Sequence, residues 1–503
     1  MTFVKHPLIK PDTIEMRTYQ EAILGTASQK NTLCVIPTGM GKTTIAVLLA
    51  ALRLDKNPDS KILIMAPTRP LCEQHLRSFQ KFMEVPEEEI VLITGKISPR
   101  DREDMYDGSK IISATPQTIQ NDIKSGLLNF SKFSLLVVDE CHRSVKKYAY
   151  PFVARAYMEK SKYPRILALT ASPGSNEIKI NIIRKNLSID AVEIRTESDP
   201  DVSPYVKEIE TEIVKVSLSD DLKTAQENLK KALNRRLGKL KRYNLNIKTK
   251  GELLDAQRRV SKEISTNRKP VHFHMISLIV ESIKIWHALQ LLETQSISAV
   301  SIYIEKVRQK KTKSDAGILN DVEFMKAVKI IEESGEHPKI KKLKEVVKRE
   351  FDNNKDTRII IFSHFRDNIY KIEDMLKEVC NPAILIGQSG ERGLSQKQQI
   401  EVIREFNDGY YNCLIGSPVA EEGLHIPTAD IAIFYDTVPS EIRTIQRRGR
   451  VGRTKVGKII FLMTRDTRDE AYYWTAKRRE SNMKETLKNM RSTNKTRTIT
   501  DFL

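Results

Sequence analysis

The sequence predicts an α/β chain of two parallel-sheet domains with a helical insertion, and three patterns along its 503 residues carry that expectation. Between residues 32 and 194, short aliphatic runs alternate with helical stretches: TLCVIP, KILIMAP, IVLITG, KIISATP, LLVVDE and RILALT. Each run ends in Pro, Thr, Gly or an acid, as strands of a sheet buried on both faces do where the chain turns towards a helix. The same grammar returns between 358 and 463 in RIIIFSH, PAILIG, CLIGSP, IAIFYD and KIIFLMT. From 220 to 336, Leu, Ile and Ala recur at helical spacing with Lys and Arg between them and a single Pro, which predicts helices.

The elements at the joins fix the organisation. TEIVKVSLS (211–219) reads as a strand and HPKIKKLKEVVKRE (337–350) as a helix of the second sheet domain. The second domain is therefore begun, interrupted and resumed. The expected division is 1–205 for the first domain, 206–219 with 337–470 for the second, and 220–336 for the insertion. Residues 471–503 form a C-terminal helix and basic tail. Tyr472, Tyr473 and Trp474 open that helix, either to stack on bases or, the preferred expectation, to pack on the second domain.

Charge points to a polyanion. Lys and Arg number 84 against 65 Asp and Glu, a net charge of +19. Residues 221–350 hold 29 basic and 16 acidic side chains, +13, so most of the excess sits in one place and favours contact with a phosphate backbone. Cys34, Cys72, Cys141, Cys380 and Cys413 are scattered, with no CxxC pair, and predict reduced structural thiols rather than a zinc site or disulfides. No run of about 18 apolar residues marks a membrane span, and MTFVKHPLIKPD has no apolar core of a signal peptide, so a soluble intracellular protein is expected.

The first chemical signal is IPTGMGKTT (36–44), between a strand and a helix. A Gly-rich turn there aims several backbone N–H groups at one point, and the helix N-terminus adds favourable partial charge, which suits a phosphate. Thr38, Gly39, Gly41 and Thr44 would line the cradle, Lys42 would reach the β- and γ-phosphates of ATP, and Thr43 would hold Mg²⁺. The strict pattern has Gly where this chain has Ile36. LLVVDECHRS (135–144) then supplies what such a site lacks. Asp139 can hold Mg²⁺ and Glu140 can activate the attacking water, both at the C-terminal end of a strand. His142 is read as coupling this site to the other domain.

These residues, taken in order, resemble helicase superfamily 2, whose two sheet domains are RecA-like. PTGMGKT, DECH, TAS (170–172) and QRRGRVGR (446–453) stand in the family's sequence. RTYQ (17–20) resembles its adenine-reading element, which implies that Arg17 and Gln20 bind the nucleotide. APTRPL, TG at 94–95 and ATPQTI resemble strand-contacting motifs, which implies nucleic-acid contact by Pro67, Thr68, Arg69, Thr94, Gly95, Thr115, Pro116 and Gln117. FSHFRD (362–367), GQ at 387–388 and SPVAEEGLHIP (417–427) imply the same for Ser363, His364, Gly387, Gln388 and Ser417, and nucleotide contact by Glu422 and Gly423. Thr170 and Ser172 would couple the domains. Gln446, Arg450 and Arg453 would approach the γ-phosphate from the second domain.

GQSGERGLSQKQQIEVIREF, VPSEIRTIQRRGRVGR, TRDEAYYW and the position of the insertion are similar to the archaeal Hef helicases and their Fanconi-anaemia M-type relatives. That resemblance implies a 3′→5′ DNA helicase or translocase acting on forked and branched DNA, with the insertion as a thumb-like grip, in a cytoplasmic, nucleoid-associated setting. The ERKxxxD motif of the nuclease found in full-length Hef has no match, so no nuclease activity is expected. His425 stands where the family has Asp. Two other functions compete: a duplex-RNA-stimulated ATPase of the RNA-sensor or Dicer type, and a non-catalytic DNA scaffold, against which Lys42, Asp139, Glu140, Arg450 and Arg453 argue. In the tail, Ile499, Phe502 and Leu503 share one face of a helical turn. They resemble a sliding-clamp-binding box with Thr496 in place of the leading Gln; folding back on the second domain is the alternative.

Overall fold

Burial on both faces turns the aliphatic runs into strands. The computed structural model describes residues 2–145, 148–174, 177–206, 208–310, 312–388, 393–417, 429–437 and 457–495. The first sheet contains β1 (Thr32–Val35), β2 (Lys61–Met65), β3 (Ile90–Ile93), β4 (Ile111–Ala114), β5 (Phe133–Val138), β6 (Ile166–Thr170) and β7 (Ala191–Ile194). Its order is β3-β4-β2-β5-β6-β1-β7, parallel throughout. Every residue of β1, β4, β5 and β6 is buried. At about 1.5–3 kcal/mol for each fully buried Val, Leu or Ile, these short runs suffice to hold the sheet centre. β7 was not expected. AVEI is a half-buried edge strand interrupted by Glu193, too short and too polar to stand out.

The second sheet contains β8 (Ile209–Val216), β9 (Ile359–Phe362), β10 (Pro382–Leu385), β11 (Cys413–Gly416), β12 (Ile431–Phe434) and β13 (Gly457–Thr464). Its order, β10-β11-β9-β12-β13-β8, is again all parallel. β8 precedes the insertion in sequence yet pairs with β13 over eight residues, from Ile209 opposite Gly457 to Val216 opposite Thr464. The insertion thus leaves from and returns to one sheet.

Helices Asp220–Lys241, Lys250–Thr266, Pro270–Thr294, Ile297–Gln309, Lys313–Leu319 and Val322–Glu333 build the insertion. They enclose two cores. One, near the second sheet, includes Leu229, Leu289, Val300, Phe324 and Ile331. The other, further out, is Leu240, Leu253, Ala256, Val260, Leu278 and Ile279. Pro270–Thr294 runs through both and is long and apolar enough by composition to cross a membrane. It is apolar over this length because it lines two cores. At its C-terminal end Gln295 Nε2 donates to Asp436 Oδ1 at 2.6 Å, and the Arg468 guanidinium lies 4.8 Å from the Trp286 ring centroid.

The helix Arg468–Lys495 connects both sheet domains. Tyr473 is buried with its ring 4.9 Å from that of Phe461, whereas Trp474 is half exposed. The expected packing on the second domain is therefore made by Tyr473, with Tyr472 half-buried beside it and Trp474 turned outwards. Further along, Met483 and Leu487 enter the core of the first domain.

A fully buried ion pair ties the second domain together. Lys339 Nζ lies 2.5 Å from Asp469 Oδ2, with Lys339 also 4.7 Å from the Tyr435 ring centroid. Lys339→Ala would strand the Asp469 carboxylate and is expected to cost about 3–5 kcal/mol. Urea unfolding followed by hydrogen exchange in β13 checks this, and Lys339→Met combined with Asp469→Asn should recover part of the loss.

Candidate nucleotide and nucleic-acid site

Because every strand is parallel, the loops after the strands open on one edge of each sheet, where such sheets bind ligands. In the first sheet, β1, β6 and β5 are neighbours, so the P-loop, Thr170–Ser172 and Asp139–His142 meet. β2 lies on the other side of β5, followed by β4 and β3. That side carries Pro67, Thr68 and Arg69, then Thr115, Pro116 and Gln117, then Thr94 and Gly95. Asp139 sits on the boundary between the two groups.

The P-loop turns through left-handed backbone at Gly39 (φ 83°) and Gly41 (φ 75°) before helix α2 (Lys42–Lys56) begins. A side chain at Gly41 would be strained by that backbone and would also have to push aside the end of the Gln20 side chain. Helix α1 (Thr18–Gln29) braces this turn from outside. Tyr19 Oη donates to the Met40 carbonyl at 2.8 Å and Gln20 Nε2 to the same oxygen at 3.3 Å. Arg17 stacks 4.6 Å from the Tyr205 ring centroid. Lys42, Thr43 and Thr44 occupy the first turn of α2, where free N–H groups and the helix dipole favour a phosphate.

Each oxygen of Asp139 has one donor. The Glu140 N–H lies 2.9 Å from Oδ1 and His75 Nε2 lies 2.8 Å from Oδ2. Burial pushes this carboxyl up, but the His75 hydrogen bond and charge, the Lys42 ammonium and the Glu140 N–H outweigh it and hold it below the usual carboxylate range. An ionised carboxylate with lone pairs remaining fits Mg²⁺ or its water, with Thr43 as the second protein ligand. Glu140 itself is left-handed (φ 47°, ψ 46°), a conformation costing about 1–2 kcal/mol in a residue other than glycine. Its Oε2 lies 3.1 Å from His142 Nδ1, which is also 3.3 Å from Thr170 Oγ1. Thr170 Oγ1 in turn accepts from the Ser172 N–H at 3.1 Å.

Four participants escaped the sequence. His75, 64 residues from Asp139, sits on a helix facing it. Tyr150 Oη donates to the Asp139 carbonyl at 2.7 Å. Met483 of the C-terminal helix has its sulfur 3.1 Å from Ser172 Oγ. Asp436 accepts from Ser363 Oγ at 3.0 Å and from the His364 N–H, on the same residue that Gln295 of the insertion bonds. None of these contacts carries a local motif. The buried cysteines, by contrast, behave as structural thiols: burial pushes Cys34 up to about 12 and Cys141 well above its ordinary value.

In the second sheet the adjacent strands β10, β11 and β9 bring Gly387, Gln388, Ser417, Ser363 and His364 to one edge, where Arg366 Nη2 donates to the Gly387 carbonyl at 2.8 Å. Glu422, Gly423, His425, Gln446, Arg450 and Arg453 lie outside the described residues, as do Ile499, Phe502 and Leu503.

Comparison with known proteins agrees with this geometry. Residues 17–180 match the DEAD/DEAH box helicase family and 338–455 the helicase conserved C-terminal domain. Residues 221–337 match the helical bundle of a provisionally named family of ATP-dependent RNA helicases. A Methanocaldococcus jannaschii protein, provisionally named an ATP-dependent RNA helicase, is 42% identical over 97% of this chain and 63% of its own length. The ATP-dependent DNA helicase fml1 of Schizosaccharomyces pombe is 32% identical over 93% of this chain and 59% of its own. The chain therefore spans less than two thirds of these relatives. The crystal structure of the Pyrococcus furiosus Hef helicase domain is 38% identical, with a TM-score of 0.73, over 93% of this chain and all of that one. Two parallel-sheet domains, a helical bundle between them and a P-loop facing a DECH acid pair place this chain in helicase superfamily 2, among the Hef-type helicases.

Proposed function

We propose that the chain is an ATP-dependent DNA helicase or translocase, moving 3′→5′ and acting on forked or branched DNA. Lys42 and the first turn of α2 would grip the phosphates, Thr43 and Asp139 would hold Mg²⁺, and Glu140 would orient the attacking water. Magnesium, when bound, neutralises charge developing on the phosphates. Arg450 and Arg453, with Gln446, would reach the γ-phosphate from the second domain, so that closure and opening alternate with each ATP. His142, Thr170 and Ser172 form the chain of contacts through which that closure would be transmitted.

The observation that carries the substrate reading is where the insertion keeps its charge. Residues 220–336 hold 23 basic and 15 acidic side chains, yet residues 239–274 alone hold ten and three. That outer lobe has its own core, and the rest of the insertion is nearly neutral. An isolated basic lobe on a stiff helix bonded to the second domain at Asp436 suits a grip on phosphates beyond the translocating strand. The relative named for RNA keeps a duplex-RNA-stimulated ATPase as the second reading. Stimulation of ATP hydrolysis by forked DNA, linear duplex DNA and duplex RNA separates them: forked DNA should be strongest, and a preference for duplex RNA would overturn the DNA assignment.

The tail belongs to the same proposal. Ile499, Phe502 and Leu503 would form one turn of helix in a hydrophobic groove of a sliding clamp, which supplies the nucleation energy the turn lacks alone. A terminal peptide should bind the clamp and Phe502→Ala should abolish binding; no binding by the wild-type peptide or the full chain rejects it.

A further inference from the structure

The surroundings of His75 single it out. It lies two turns into helix α3 (Arg69–Phe82), which leaves β2 directly after Pro67 and Thr68. The ring is 4% exposed. Nε2 bonds Asp139 Oδ2 at 2.8 Å, while Nδ1 is buried without a hydrogen-bond partner among the described residues. An ionised carboxylate only accepts, so Nε2 carries the hydrogen of this bond. An apolar residue would fill the same space without leaving a polar atom unpaired. What histidine adds is the donor on Asp139.

The surrounding contacts make that donor part of a rigid path. Arg69 Nε bonds Glu73 at 2.8 Å, Cys72 Sγ approaches the Ala66 carbonyl at 3.5 Å, and Ser113 Oγ donates to the Cys72 carbonyl at 2.9 Å. The Asp139 N–H bonds the Met65 carbonyl at 2.9 Å. The first turn of α3 and His75 are about 10 Å apart along one helix. A helix moves as a unit, so a displacement at Thr68 or Arg69 arrives at the Asp139 carboxylate.

We infer that His75 is a positioning residue: it fixes the plane of the Asp139 carboxylate and ties that acid to the helix whose first turn carries Pro67, Thr68 and Arg69, so that nucleic-acid engagement is felt where magnesium binds. The inference rests on the ATPase reading above and goes beyond it in naming the link.

The test compares the full chain with His75→Leu and His75→Gln. Leu keeps the volume and removes the donor, whereas the Gln amide can place N–H near the position of Nε2. Two quantities are followed against Mg²⁺ concentration: binding of a fluorescent ATP analogue, and ATP hydrolysis with and without single-stranded DNA. In His75→Leu the Mg²⁺ needed for half-maximal analogue binding should rise, and DNA-stimulated kcat should fall, each by about 10–100-fold. KM for ATP should stay within about threefold, because the phosphate grip is untouched. Stimulation by DNA should collapse towards the basal rate, and His75→Gln should retain most of it. Wild-type Mg²⁺ dependence in His75→Leu overturns the inference. So does equal impairment of both variants accompanied by an equal fall in thermal stability, which would mark a purely structural histidine. Should the unsubstituted chain fail to hydrolyse ATP, the proposed function falls, and the Mg²⁺ dependence of analogue binding still decides the role of His75.

Discussion

Glu140→Gln is expected to bind ATP normally and to lose about 10²–10⁴-fold in turnover. On the proposed reading, phosphate grip and water activation would be carried by different parts of the site. Gly39, Gly41 and Lys42 would form the cradle at the start of α2, whereas Glu140 stands on the neighbouring loop after β5, in a left-handed turn. The amide keeps the shape and the backbone hydrogen bond to Asp139, so the cradle and the acid remain in place. Only the carboxylate that can take or orient a proton is lost. Lys42→Ala serves as the contrasting variant, since it removes grip and should weaken binding of a fluorescent ATP analogue. Normal hydrolysis by Glu140→Gln would remove Glu140 from the reaction. Loss of analogue binding in the same variant would mean that it holds the nucleotide instead.

The two sheets were legible because a strand buried on both faces must be aliphatic almost throughout, and few other structures need that. The P-loop and acid pair were legible because the phosphate cradle constrains consecutive residues. β7 was hidden because an edge strand with Glu193 in its middle carries no such constraint. His75 and Asp436 were hidden for a different reason. Each acts through a partner more than 60 residues away, brought close by strand order rather than by spacing. The insertion shows the limit of composition: its charge excess was countable, but its confinement to the outer lobe became meaningful only once the helices and the two cores were placed.

Replacing Arg258, Arg259, Lys262, Arg268 and Lys269 by Gln is expected to flatten the salt dependence of binding to forked DNA while leaving ATP hydrolysis without DNA unchanged. All five are exposed: Arg258, which pairs with Asp255, Arg259 and Lys262 lie in the second half of the helix Lys250–Thr266, and Arg268 and Lys269 in the short link to the helix packed against it. Each phosphate neutralised releases condensed counterions, so each lost contact reduces the slope of log K against log salt by about 0.9 on duplex DNA. The full set of five should reduce it by up to about 4.5, with affinity falling most at low salt. The control removes the same charge nearer the second domain, at Lys230, Lys306, Lys310, Lys326 and Lys329. Lys326 and Lys329 are already paired with Glu323 and Glu333, and the acids around this lobe nearly balance its bases. That set should change the slope by less than about 1. Fluorescence anisotropy with forked and linear duplexes over a salt series reads both quantities. Equal effects from the two sets would mean that net charge alone attracts the DNA. An unchanged slope in the outer set would move fork recognition away from the insertion, onto the two sheet domains.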